Sequence, residues 1–209
     1  MTLDGKRVLF LTSNYGTEQD ELTKPVAMLR EAGAEVTVAA KKAETVVTVV
    51  SDRRPGDAVE PDTTYEEVSA DAYDAVVVPG GTVNADRLRT DMTAQRLVAA
   101  FADAGKTVAA ICHGPWLLID SGLVAGKEIT SYPSVRTDLV NAGGTWRDRE
   151  VVVDASGGFR LITSRKPADV RPFAEAVVEA LVAGPPAPEG PRPRSPGTGL
   201  PETGLPAPT

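Results

Sequence analysis

The run Val108-Ala109-Ala110-Ile111 passes directly into Cys112-His113-Gly114-Pro115, and this junction constrains the fold more than any other stretch of the chain. Four small or apolar residues in a row read as a short strand buried on both faces. Pro115 suits the first turn of a helix, where its missing N–H has no partner to lose. Trp116-Leu117-Leu118-Ile119 carries that helix on toward Gly122. A buried strand that turns at once into a helix predicts an α/β sheet, with Cys112 lifted on the turn between the two. The helix N-terminus nearby carries partial positive charge, which favours the reactive thiolate. This is the layout of a nucleophile elbow with Cys in the place of Ser. The competing reading is a small buried hydrophobe, the usual fate of a lone cysteine. Adjacency to the chain's single histidine, and the glycine and proline that follow, favour the nucleophile.

Apolar runs and helical spacings alternate along the rest of the chain. Arg7–Thr12 reads as a central parallel strand. Thr17 is placed to cap the next helix, with Pro25 predicting a kink or a late start. Glu35–Ala40 is a second strand and Val46–Val50 another, and Asp52–Thr64 reads as an irregular excursion. Ala75–Val78 is a buried strand that ends in Pro79-Gly80-Gly81. Two glycines there serve either as a tight turn or as backbone N–H donors to a ligand or oxyanion. A helix over Thr93–Ala104, a strand at Glu128–Ser131, a helix over Ser134–Ala142, a hairpin around Ser156-Gly157-Gly158 and a last helix over Ala168–Val182 complete the domain. The alternation predicts a single doubly wound α/β domain, a flavodoxin-like three-layer sandwich with a mostly parallel sheet and helices on both faces. Sites in such sheets form at the carboxyl ends of strands, which brings Asn14–Glu18, Gly80-Gly81 and Cys112-His113 together.

The domain is expected over residues 1–183. From Gly184 the periodicity stops, and nine of the 17 prolines fall in the last 26 residues. That segment reads as a disordered extension. Leu200-Pro201-Glu202-Thr203-Gly204 within it matches the sortase sorting motif, but without the apolar segment and basic tail a sorting signal needs, it reads as coincidence or a tag. One cysteine allows no internal disulfide, and no run approaches the ~20 apolar residues of a membrane span. The expected setting is the cytoplasm. A formal net charge of −7 argues against nucleic acid or an anionic membrane as partner. One His and one Cys without suitable ligand spacing predict neither a metal site nor a cofactor.

With these pieces in place the chain resembles the PfpI family of the class I glutamine amidotransferase-like superfamily, which includes intracellular peptidases, glyoxalase III enzymes and deglycases. The resemblance runs from about Lys6 to Leu181. It rests on Ala110–Pro115, Val78-Pro79-Gly80-Gly81, Thr130-Ser131-Tyr132-Pro133, Asn141-Ala142-Gly143 with Trp146, and Thr163-Ser164-Arg165 with Pro167 and Asp169. It implies Cys112 as nucleophile, His113 as its imidazole partner, and Glu18 as the proton-bearing acid against the sulfur. Gly81 and the His113 N–H become the oxyanion pair. Asp86 becomes an acid that orients the histidine of a neighbouring subunit in a homo-oligomer, dimer or hexamer. Read without the resemblance, Glu18 is an exposed first-turn residue and Asp86 a helix-start acid. Trp116 stands where several relatives carry Gln and would line or narrow the pocket.

Three functions compete. The leading one is cysteine-dependent chemistry on small reactive carbonyls, of glyoxalase III or deglycase type. The second is an intracellular cysteine peptidase acting on peptide, and the third a non-enzymatic redox-sensing stress protein or holdase. Glutamine amidotransfer is set aside, because it needs a second histidine and the chain has one.

Overall fold

The computed structural model describes residues 2–187. The expected disordered extension and the sorting-like motif fall almost wholly outside that range. In chain order the described elements are β1 (Arg7–Leu11), β2 (Tyr15–Glu18), α1 (Gln19–Glu31), β3 (Glu35–Ala40), β4 (Val46–Val50), β5 (Arg54–Val59), β6 (Thr63–Thr64), β7 (Ala75–Val78), α2 (Thr82–Arg89), α3 (Met92–Asp103), β8 (Thr107–Ile111), α4 (Pro115–Asp120), β9 (Glu128–Ile129), α5 (Arg136–Asn141), β10 (Thr145–Trp146), β11 (Val151–Asp154), β12 (Arg160–Ser164) and α6 (Val170–Ala183). The main sheet runs β11-β12-β8-β7-β1-β3-β6 and is parallel except for the β11–β12 hairpin. A small sheet of β2, β4 and β5 stands beside it.

Successive residues of a strand point to opposite faces, so β1 feeds two cores. Leu9 and Leu11, with Val76, Val78, Val108 and Ala110, pack against α3 and α4 through Phe101, Val98, Leu117 and Leu118. Val8 and Phe10, with Val77, Ala109 and Ile111, pack against α1 and α6 through Leu22, Leu29, Phe173 and Val177. Helices on both faces explain why β7 and β8 are apolar throughout rather than alternating. This is the predicted doubly wound α/β domain. None of its described helices is long and apolar enough to cross a membrane.

Three local expectations are corrected. Pro25 lies inside an unbroken α1. Thr17 is a buried residue of β2 rather than a cap, and the residue at the start of α1 is Glu18. The segment read as an irregular excursion contains β5, which tolerates Pro55 because β5 pairs only with β4 and the missing N–H falls on an edge strand.

Phe101 is fully buried where α3 meets the sheet. Phe101→Ala is expected to lower unfolding stability by about 3–5 kcal/mol, read as a shift in denaturant midpoint without loss of the folded baseline.

Candidate active site

Strand β8 delivers Cys112 to its carboxyl end, and there the backbone turns left-handed, with φ at 63°. A non-glycine residue holds that conformation only where its surroundings enforce it. Here the Cys112 N–H donates to the Ser164 carbonyl at the end of β12 at 3.0 Å, and the Cys112 carbonyl accepts from the Tyr132 N–H at 2.8 Å. Three glycines let neighbouring backbone close in. A Cβ on Gly80 would stand 2.6 Å from the Cys112 Cβ, one on Gly81 2.0 Å from the Gly16 carbonyl, and one on Gly114 2.7 Å from the Val78 carbonyl. Gly81 itself has φ at 87°. Close approach, as much as turn geometry, requires glycine at these positions.

The Cys112 sulfur lies 3.3 Å from His113 Nδ1. The other ring nitrogen, Nε2, meets Ser134 Oγ at 3.1 Å and Thr82 Oγ1 at 3.4 Å. The imidazole is stacked on Tyr132 with ring centres 4.8 Å apart and tilted against Trp116 at 5.2 Å. Trp116 packs against the imidazole, its Nε1 donating to Asp138 and its ring lying beneath Arg89. Burial pushes the His113 imidazole below its ordinary range, while the nearby Asp52 charge partly opposes that shift. The ring is therefore neutral at neutral pH.

The acid against the sulfur is Glu21, not Glu18. Glu18 ends β2, and its carboxylate turns to the β4–β5 hairpin, accepting from the Ser51 N–H at 3.0 Å and the Asp52 N–H at 3.2 Å. One helical turn later, Glu21 shares the inward stripe of α1 with Leu22, Pro25, Val26 and Leu29. Its carboxyl accepts from the Gly80 N–H at 2.9 Å and lies beside the Cys112 thiol. Oε1 has no hydrogen-bond partner among the described residues. Full burial drives this carboxyl far above the ordinary carboxylate range, against the lowering influence of its contacts with Cys112 and Gly80. A carboxyl on the apolar stripe of a helix was the available sequence signal, and the first-turn position of Glu18 concealed it.

The expected thiolate is also corrected. Burial, with the Glu21 and Asp52 carboxyls behind it, raises the Cys112 thiol, and a hydrogen bond with the Gly81 backbone only partly counters this. The N–H groups where α4 begins do not offset it, because Gly114 donates to the Ile111 carbonyl and Trp116 to the His113 carbonyl. Cys112 at rest is a thiol that needs a base. The Gly80 N–H is occupied by Glu21, which leaves Gly81 as the glycine of that pair facing the sulfur. Asp86 lies on the exposed side of α2, and the groups that reach His113 within the chain are the Thr82 and Ser134 hydroxyls. Asp52, Thr82, Ser134 and Glu21 had no place in the site as read from the sequence. No cluster of metal-ligating side chains occurs among the described residues.

This geometry defines a class: doubly wound α/β domains that present one thiol on a strand-to-helix elbow with an imidazole and a buried carboxyl on either side. The chain belongs to the DJ-1/PfpI family, whose sequence profile matches residues 6–180. Deglycase PH1704 of Pyrococcus horikoshii is 38% identical over 175 residues, 84% of this chain and 99% of that protein. YraA of Bacillus subtilis, which carries a provisional cysteine-protease name, is 40% identical over 156 residues, 75% of this chain and 87% of that protein. The crystal structure of Drosophila melanogaster DJ-1beta matches with a TM-score of 0.75 at 34% identity, over 87% of this chain and 91% of that one.

The folded state holds the Glu21 proton more tightly than the unfolded chain does. Stability therefore falls as pH rises from ~4.3, the unfolded value, toward the raised folded value, by up to about 1.4 kcal/mol per unit. Glu21→Gln removes that loss and keeps an acceptor for Gly80. Melting curves from pH 4 to pH 8 are expected to give the variant a growing advantage over wild type as pH rises, with none near pH 4.

Proposed function

We propose that the chain is a cysteine-dependent enzyme that removes small reactive carbonyls, acting as a deglycase on their adducts and as a glyoxalase III on the free dicarbonyl. The observation that carries this reading is the pair of contacts at Cys112, a thiol between a neutral imidazole and a proton-bearing carboxyl. His113 takes the thiol proton, and the sulfur bonds to the aldehyde carbon of methylglyoxal while Glu21 or the Gly81 N–H meets the developing alkoxide. The product is a hemithioacetal. A proton then moves from that carbon to its neighbour through the Glu21 carboxyl, giving a lactoyl thioester, and water releases lactate and the thiol. On a glycated amine the sulfur displaces the amine from the aminocarbinol carbon, and the amine leaves with its proton.

Size supports small carbonyls over peptides. Cys112 is 4% exposed and His113 5%, so an aldehyde at the tip of a small molecule or side chain can reach the sulfur where an extended backbone cannot lie across it. The relatives named deglycase support the same choice. Asp86 is exposed, and its role is proposed for a homo-oligomer in which it faces a second copy.

Wild type incubated with methylglyoxal is expected to form lactate, and Cys112→Ser to lose at least about three orders of magnitude in rate. Lactate formation that survives in Cys112→Ser, or casein cleavage by wild type in the absence of lactate, overturns the proposal.

A further inference from the structure

We propose that Asp52 is a positioning residue that sets the protonation pattern of His113 through Thr82, so that the unprotonated ring nitrogen is the one facing Cys112. This deepens the reading above, in which Cys112 is the nucleophile and His113 its base.

The argument follows hydrogen-bond polarity from one end of a chain of contacts to the other. Asp52 accepts twice from Thr82, from the backbone N–H at 2.8 Å onto Oδ1 and from the hydroxyl at 2.9 Å onto Oδ2. A carboxylate accepts only, so the single hydroxyl hydrogen of Thr82 is committed to Asp52. Toward His113, Thr82 Oγ1 can then only accept, and Nε2 at 3.4 Å must supply the hydrogen. Ser134 Oγ, the other neighbour of Nε2, can donate or accept and follows whichever state Thr82 imposes. A neutral imidazole carries one hydrogen. With that hydrogen on Nε2, Nδ1 presents its lone pair to Cys112 Sγ at 3.3 Å. This is the state a base needs. The opposite tautomer would aim an N–H at the thiol and could take nothing from it.

Asp52 is held for this purpose from behind. Ser51 and Asp52 are both left-handed, with φ at 57° and 55°, and their N–H groups are gripped by the two oxygens of the Glu18 carboxylate. Positive φ at both residues is what a tight hairpin turn requires, and the Glu18 contacts fix that turn in place. Glu18 thus bears on the site through the hairpin, one step removed from the sulfur.

The single histidine makes the test direct, because long-range 1H–15N spectra of the full chain report one imidazole. In a Ser134→Ala background, which removes the ambivalent hydroxyl, the ring is expected as the Nε2–H tautomer. Asp52→Asn keeps the shape and the acceptor for the Thr82 N–H, but its amide donates to Thr82 Oγ1 and turns that hydroxyl toward Nε2. The tautomer is then expected to reverse, with alkylation of Cys112 by iodoacetamide at pH 7 slowed at least about tenfold. Should Asp52→Asn not fold, Thr82→Val is expected to show the same slowing and Thr82→Ser to restore the wild-type rate. An Nδ1–H ring before substitution, or an unchanged tautomer and alkylation rate after it, overturns the proposal. Neither readout uses a carbonyl substrate, so absence of lactate with a reversing tautomer would sink the proposed function and leave this inference standing.

Discussion

The left-handed turn at Cys112 is the constraint on which the site depends. Holding a branchless but non-glycine residue there costs of order 1–3 kcal/mol, and the surrounding sheet supplies it. One backbone hydrogen bond ties Cys112 to the end of β12 and another ties it to the segment after β9. These two tethers come from parts of the chain far apart in sequence, so the elbow exists only once the sheet has closed around β8. The glycines at 80, 81 and 114 act in the same sense, allowing backbone contacts that no side chain would permit. A local motif of four residues is therefore a product of global topology.

Three carboxyl groups surround this elbow, and their environments assign them different work. Glu21 is fully buried with a single N–H partner and faces the sulfur, so it keeps its proton. Glu18, three residues earlier, is also buried, but it is met by two hairpin N–H groups and points away from the thiol. Asp52 sits at the exposed hairpin tip, where it caps α2 and commits the hydroxyl of Thr82. Identical chemistry thus yields a proton carrier, a brace and a director of polarity. The boundary between β2 and α1 decides between the first two, because Glu18 still belongs to the strand while Glu21 stands on the buried stripe of the helix.

That division explains what the sequence made legible. The elbow, the double glycine and the alternation that gives the three-layer fold are local patterns, each carried by a few adjacent residues and each readable as such. The identity of the acid was not local. It required knowing that α1 starts at Gln19, after a short strand of the side sheet, rather than at a Thr17 cap. Likewise Asp52 belongs to a hairpin that pairs with β2, thirty residues from its partner Thr82 in the chain. Even so, Glu21 falls in register with Leu22, Pro25, Val26 and Leu29, and an ionisable group on a buried stripe is itself a mark of function.

The thiolate expectation failed for a reason that clarifies the chemistry. Helix N-terminal charge is a modest influence, and here the first N–H groups are engaged with backbone carbonyls, so burial prevails and keeps the thiol protonated. The same burial acts with opposite sign on the two neighbours, lowering the imidazole and raising the carboxyl. At neutral pH this leaves a base without its proton on one side of the sulfur and an acid with its proton on the other. In the mechanism proposed here, addition of a thiol to a carbonyl needs that pairing, since one proton must leave sulfur as another reaches oxygen. In an open site an ordinary carboxyl would be ionised at neutral pH and would have no proton to give. Seclusion of the sulfur is thus what arms the acid, and in the proposed reaction the same seclusion favours small carbonyls.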